Sequence, residues 1–166
     1  MNIFDVHIKN GEVIDGTGAP KFKSDIVIDK GKIIGVFPAE NGDVRDPSEN
    51  HFLSKFKAKH TINAENKIIS PGFIDVHTHD DDNVFLDPSM SSKISQGVTT
   101  CVAGNCGISL APFSYKGEVP APIALLGKSE VFRFARVNDY KEEFNNKPSS
   151  VNLALLTGHS MLRVEA

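Results

Sequence analysis

Pro71-Gly72-Phe73-Ile74-Asp75-Val76-His77-Thr78-His79-Asp80-Asp81 is the stretch on which the reading of the whole chain turns. Residues 68–76 are mostly apolar and read as entry into a buried strand, with His77 and His79 at its carboxyl end. Side chains two apart on a strand share a face, so the two imidazoles project into one space. The carboxyl ends of parallel strands are where βα proteins place their active sites. Taken alone, a His-x-His pair reads equally as metal ligands or as two partly exposed strand-end histidines. The acidic run Asp80-Asp81-Asp82 that follows adds charge able to stabilise a cation or orient its ligands.

Downstream, the grammar alternates. Asp87-Pro88 opens a helix running to about Gln96, with Asp as its cap and Pro in its first turn. Residues 97–104 form a β-branched strand closed by glycine. A Pro-rich loop at 111–122 leads into helical stretches around 129–136 and 139–145, and residues 151–157 read as another buried strand. Strand, helix, strand, helix, strand is the pattern of a parallel α/β sheet. Just past the second strand lies Gly104-Asn105-Cys106-Gly107, whose glycines let the backbone turn and aim the sulfur at the same crevice. A thiolate is a soft anionic ligand suited to zinc, whereas a buried structural cysteine is the plainer alternative. Cys101, in mid-strand among β-branched residues, is assigned to packing.

Upstream, the chain reads as all β. Residues 4–8 alternate, Lys9-Asn10-Gly11 turns the chain, residues 12–14 continue, and 15–20 form a Gly- and Pro-punctuated loop. Residues 24–28 pair with 32–36 across Asp29-Lys30-Gly31, where Gly31 meets a need for positive φ. The result is a small β-sandwich or a partial sheet. Residues 39–59 read as an exposed excursion with a short helical turn at 52–56. His51 and His60 have no partners at ligand spacing and are read as surface residues. The division is therefore 1–67, a small β domain with an exposed loop at about 39–60, and 68–166, an α/β domain.

The chain has 166 residues, 18 Lys plus Arg and 21 Asp plus Glu, for a net charge of −3. That balance carries no basic footprint for nucleic acid. No apolar run approaches the roughly 18 residues of a membrane span, and the opening MNIFDVHIKN lacks a signal-peptide pattern. Two cysteines are too few for a disulfide scaffold. The expectation is a soluble, cytoplasmic protein without nucleic-acid or membrane partners.

The segment 71–81, together with Gly97-Val98-Thr99-Thr100, Gly104-Asn105-Cys106-Gly107-Ile108-Ser109 and Gly158-His159-Ser160-Met161-Leu162-Arg163, resembles the amidohydrolase superfamily. In particular it resembles the N-acyl-D-amino-acid deacylases (D-aminoacylases). Gly11-Glu12-Val13-Ile14-Asp15-Gly16-Thr17-Gly18 is similar to their first β segment. The resemblance implies a TIM-like β/α barrel of which these residues hold the first three units, an incomplete set against about 250 residues for eight. It also implies a zinc cofactor of one or two ions, with His77, His79 and Cys106 as metal ligands. Asp80 and Asp81 are candidates to support those ligands from behind. The implied reaction removes the acyl group from N-acyl-D-amino acids by attack of a metal-activated hydroxide on the amide carbonyl, with an aspartate moving the proton. The family's catalytic aspartate and further histidine ligands come from later strands. No catalytic residue is therefore assigned in this chain, and His159 receives no ligand role. Two alternatives stand beside this reading. One is a hydantoinase- or dihydroorotase-like hydrolase of cyclic amides, against which Cys106 argues. The other is a truncated, inactive metal-binding or interaction module. An incomplete barrel exposes strand edges, so self-association or a missing C-terminal part is expected.

Overall fold

A computed structural model describes residues 3–38 and 57–166. The sequence at 39–56, with its expected helical turn and His51, lies outside the described residues. The chain divides into two units, Met1–Pro71 and Gly72–Ala166.

In the first unit, β1 (Ile3–Val13), β2 (Phe22–Asp29), β3 (Lys32–Pro38) and β4 (Lys57–Asn63) form a sheet in the order β3-β2-β1-β4. The short β5 (Ile68–Ile69) also pairs with β1. Neighbours β1, β2 and β3 are antiparallel, whereas β4 and β5 run parallel to β1. The described residues of this unit thus make one sheet rather than a sandwich. Lys9-Asn10-Gly11 does not turn the chain. It bulges a single long strand, the register shifting between Ile8 and Gly11 with Asn10 at φ 62°. Asn and Gly at positive φ serve a bulge as readily as a turn, which is why the local sequence misleads. Buried Asp25 fixes the bulge. Its Oδ1 accepts the Asn10 N–H at 2.9 Å, and its Oδ2 lies 2.7 Å from Nε2 of buried His7. The β2–β3 hairpin closes through Lys30 and Gly31, both at positive φ (49° and 73°), as a two-residue turn of this hand requires. Lys57 to His60 belongs to β4 rather than to a loop, and His60 is exposed there.

The second unit is built on a three-stranded parallel sheet of β6 (Phe73–Asp75), β7 (Val98–Ala103) and β10 (Asn152–Leu155), ordered β10-β7-β6. Its helices are α1 (Asn83–Leu86), α2 (Ser91–Ile94), α3 (Val137–Asn146) and α4 (His159–Glu165). The mixed α/β class is as read, but several boundaries move. Asp87 ends α1 instead of capping a helix, and α2 begins only after Met90, which sits at φ 46°. The Met90 side chain is fully buried, and anchoring it in the core outweighs the capping preference of Asp87-Pro88. The expected helix at 129–136 is a 3-10 turn (Ser129–Val131) followed by β9 (Arg133–Phe134), antiparallel to β8 (Phe113–Ser114). Phe132 and Phe134 are buried while Arg133 is exposed, an alternation of period two that only a strand satisfies. In α3, the Arg136 N–H donates to Asp139 Oδ2 at 3.1 Å, closing the first turn.

Met90, Ile108, Leu110, Phe113, Ile123, Phe132 and Met161 are fully buried and centre the core of this unit. The outer strands are less covered than their apolar content suggests. Phe73, Ile74 and Val76 expose 59%, 61% and 67% of their surface, and β10 alternates exposed and half-buried residues. Apolar composition predicts burial only where a neighbouring element supplies the cover. A three-stranded sheet leaves both outer strands with an open edge.

Candidate metal centre

The ladder of β6 stops at Asp75, and the next residues leave the sheet with their side chains directed by specific fasteners. Thr78, buried between the two histidines, is pinned to the end of β7. Its N–H donates to the Val102 carbonyl at 3.1 Å, and its own carbonyl accepts from Asn105 Nδ2 at 3.4 Å. Asn105 Nδ2 also donates to the Val102 carbonyl at 2.7 Å. One amide thus ties the histidine segment to the loop that carries Cys106. A second tie comes from Asp81, whose buried Oδ2 accepts the Gly104 N–H at 3.3 Å.

That loop is held from its far side as well. Ser160 N–H donates to the Gly107 carbonyl at 2.8 Å, and Gly158 N–H donates to the buried Ser109 hydroxyl at 2.9 Å. A Cβ on Gly158 would stand 2.5 Å from the Gly107 carbonyl oxygen, so only glycine lets the loops approach this closely. Between these anchors, Gly104, Cys106 and Gly107 all take positive φ (80°, 55° and 76°). The backbone is coiled in the left-handed region, and Cys106 is turned outward and exposed.

The consequence is convergence. The ligand atoms of His77, His79 and Cys106 lie within 4.8 Å of one another, and His77 Nε2 is 3.0 Å from Cys106 Sγ. Nδ1 of His79 is buried with no hydrogen-bond partner among the described residues. Leaving a buried polar nitrogen bare costs about 1–3 kcal/mol, a debt a bound cation's surroundings can relieve. Two imidazoles and a thiolate are the donor types of zinc sites, so the residues present fit that metal. Cys101, by contrast, is fully buried in β7, and burial pushes its thiol above the usual range. His159 opens α4 and is exposed.

Of the acidic residues, Asp80 meets the Lys93 ammonium at 2.8 Å, and Asp75 meets the same ammonium at 2.8 Å. Lys93 holds the Asp75 carboxyl below the usual range. Burial alone would lower the Lys93 ammonium, but the two carboxylates outweigh it and raise it. Burial pushes the Asp81 carboxyl up, opposed by the N–H groups of Gly104 and Leu110 and by facing His79. The sequence alone assigns no role to Lys93, Thr78 or Asn105. Asn105 had a visible signal, its place beside Cys106, whereas Lys93 had none.

The class these features describe is an α/β protein whose parallel sheet carries a candidate metal-binding cluster of two histidines and a cysteine beyond the carboxyl ends of adjacent strands. The sequence profile of the amidohydrolase family matches residues 60–166, and the chain belongs to that family. It is 39% identical over 160 residues to an N-acyl-D-aspartate deacylase of Alcaligenes xylosoxydans xylosoxydans, covering 96% of this chain and 29% of that protein. Among solved structures it is similar to D-aminoacylase with a binuclear metal centre, at TM-score 0.82 and 45% identity, covering 96% of this chain and 31% of that one. It is likewise similar to the N-acyl-D-glutamate deacylase of Bordetella bronchiseptica complexed with zinc and a phosphonate inhibitor, at TM-score 0.82 and 39% identity, covering 98% and 31%. The chain therefore spans about 30% of the length of the relatives it matches.

Proposed function

We propose that this chain supplies part of the metal site of a zinc-dependent hydrolase that removes the acyl group from N-acyl-D-amino acids. The observation that carries the reading is the convergence of His77, His79 and Cys106 in a chain whose relatives are deacylases of this kind. In this reading His77 and His79 present neutral ring nitrogens, and Cys106 gives up its thiol proton to become a thiolate donor. Bound zinc supplies Lewis acidity and lowers the pKa of water toward neutrality. Thr78, Asn105 and Asp81 keep the two ligand-bearing loops in register. No described residue is assigned as the general base: Asp75 and Asp80 are engaged by Lys93, and Asp81 is buried against Gly104. The same reading places three β/α units of a barrel here and locates the protein in the cytoplasm. Its support for the latter is compositional: the two cysteines are too few for a disulfide scaffold.

The test is hydrolysis of N-acetyl-D-amino acids, their L enantiomers and cyclic amides by the intact protein, with metal content measured alongside. Zinc-dependent turnover of the D substrates is expected, with His77→Ala and Cys106→Ser each lowering both metal content and rate by at least about tenfold. Turnover confined to cyclic amides, or a Cys106→Ser protein with unchanged metal content, would overturn the reading.

A further inference from the structure

We propose that Lys93 is a positioning residue for the metal ligands, clamping the His-Thr-His segment from both ends. Its ammonium lies 2.8 Å from Asp75 Oδ2 and 2.8 Å from Asp80 Oδ2. Asp75 stands two residues before His77, and its Oδ1 accepts the His77 N–H at 3.3 Å. Asp80 directly follows His79, and its N–H donates to Thr78 Oγ1 at 3.2 Å. One cation therefore closes a ring through both flanks of residues 77–79.

The geometry separates this from an ordinary surface ion pair. A solvated lysine pair contributes little because both side chains stay mobile in water. Here the Lys93 side chain is 20% exposed, Asp80 18% and Asp75 32%, and one ammonium hydrogen-bonds Asp75 Oδ2 while standing at ion-pair distance from Asp80 Oδ2 on the other side of the segment. The clamp also stands where the fold needs it. The β6 ladder ends at Asp75, so His77 and His79 receive no strand pairing of their own. Thr78 is fastened to β7 and Asp81 to the Gly104 N–H, but neither tie joins the carboxylates of Asp75 and Asp80 that flank the two histidines, and Lys93 does. The clamp reaches from α2, the helix leading into β7, so helix, first strand end and second strand are coupled through one side chain. Removing the ammonium leaves two carboxylates aimed at the same point, and their repulsion drives the flanks apart.

This inference rests on the metal-site reading, and the experiment separates the two. Cobalt(II) is titrated into the intact, metal-stripped protein, followed by a competing chelator and by the thiolate-to-cobalt absorption band. Wild type is compared with Lys93→Met and with the near-isosteric Asp80→Asn, and far-UV circular dichroism monitors the fold. Lys93→Met is expected to bind cobalt at least about tenfold more weakly, with the thiolate band shifted or diminished and the dichroism unchanged. Asp80→Asn, which keeps the Asp75 arm, is expected to show a smaller loss in the same direction. Wild-type affinity and band in either variant would overturn the clamp, as would weakened binding with the band intact, which would make Lys93 merely stabilising. If Lys93→Met fails to fold, Asp80→Asn decides alone. A wild-type protein that takes up no cobalt would instead sink the metal site itself.

Discussion

The Tyr140 hydroxyl donates to the main-chain oxygen of Asp81 at 2.7 Å, deep in the second unit. By this bond α3 reaches the acidic segment that follows the two histidines. Tyr140→Phe keeps the ring, which packs edge-on to Phe85 and Phe134, and strands a buried carbonyl. A loss of about 1–3 kcal/mol in urea denaturation is expected. Burial, and then the charges of Asp81 and Asp82, push the Tyr140 phenol well above its ordinary value. The folded state thus holds this proton more tightly than the unfolded chain. The associated stabilisation is complete below the ordinary tyrosine value of about 10 and is lost as the pH climbs from there toward the folded value. Wild type and Tyr140→Phe should therefore draw closer in stability between about pH 8 and about pH 11, measured by paired urea curves. A constant gap would show that the phenol ionises alike in both states.

Among the elements, β7 carries the heaviest duty, being paired on both edges and holding at its carboxyl end the segments that carry His77, His79 and Cys106. Gly104 ends it at φ 80°, where an added Cβ would meet the Leu156 carbonyl oxygen at 2.1 Å. Gly104→Ala should cost about 1–3 kcal/mol from its backbone conformation alone, and more as β10 is pushed away; thermal unfolding measures it. The parallel β6, β7 and β10 arrangement is legible in the sequence because βα alternation leaves little else for buried apolar runs to do. His77 and His79 come together as the sequence suggests, but beyond the end of β6 rather than as same-face neighbours on a strand, and the turn that exposes Cys106 follows from its glycines. Other features are hidden by competing physics. Asn10 signals a turn and makes a bulge, because its bond to Asp25 spans 15 residues. Asp87-Pro88 signals a helix start, but the burial of Met90 decides the start of α2. Lys93 looks like any helix-surface lysine until the end of β6 is folded against it. Local signals were readable; contacts made across the chain were not.

Over the molecule as a whole, large apolar side chains stand exposed in both units, among them Ile33 and Ile62 in the first and Phe73, Ile74, Val76 and Leu125 in the second. A groove of about 300 Å³ lined by Val137, Tyr140, Phe144, Leu153 and Leu155 adds to them. Such surface seeks cover. The 166-residue chain on its own should bind a hydrophobic dye and elute in gel filtration above its 18.1 kDa mass at tens of micromolar. A dye-silent monomer would contradict this. The described residues also share one conformational rarity: Asn10, Lys30, Asn66, Met90 and Cys106 are the non-glycine residues at positive φ. Asn10 makes a bulge, Lys30 a hairpin, Asn66 a turn, and Met90 precedes a helix. At Cys106 the conformation costs about 1–2 kcal/mol against glycine. Cys106→Gly should accordingly raise the melting temperature of the metal-free protein while abolishing cobalt binding. Glycine would take that conformation without the penalty, and the exposed sulfur adds no core packing to offset it. At this one residue stability and the proposed metal binding are therefore set against each other.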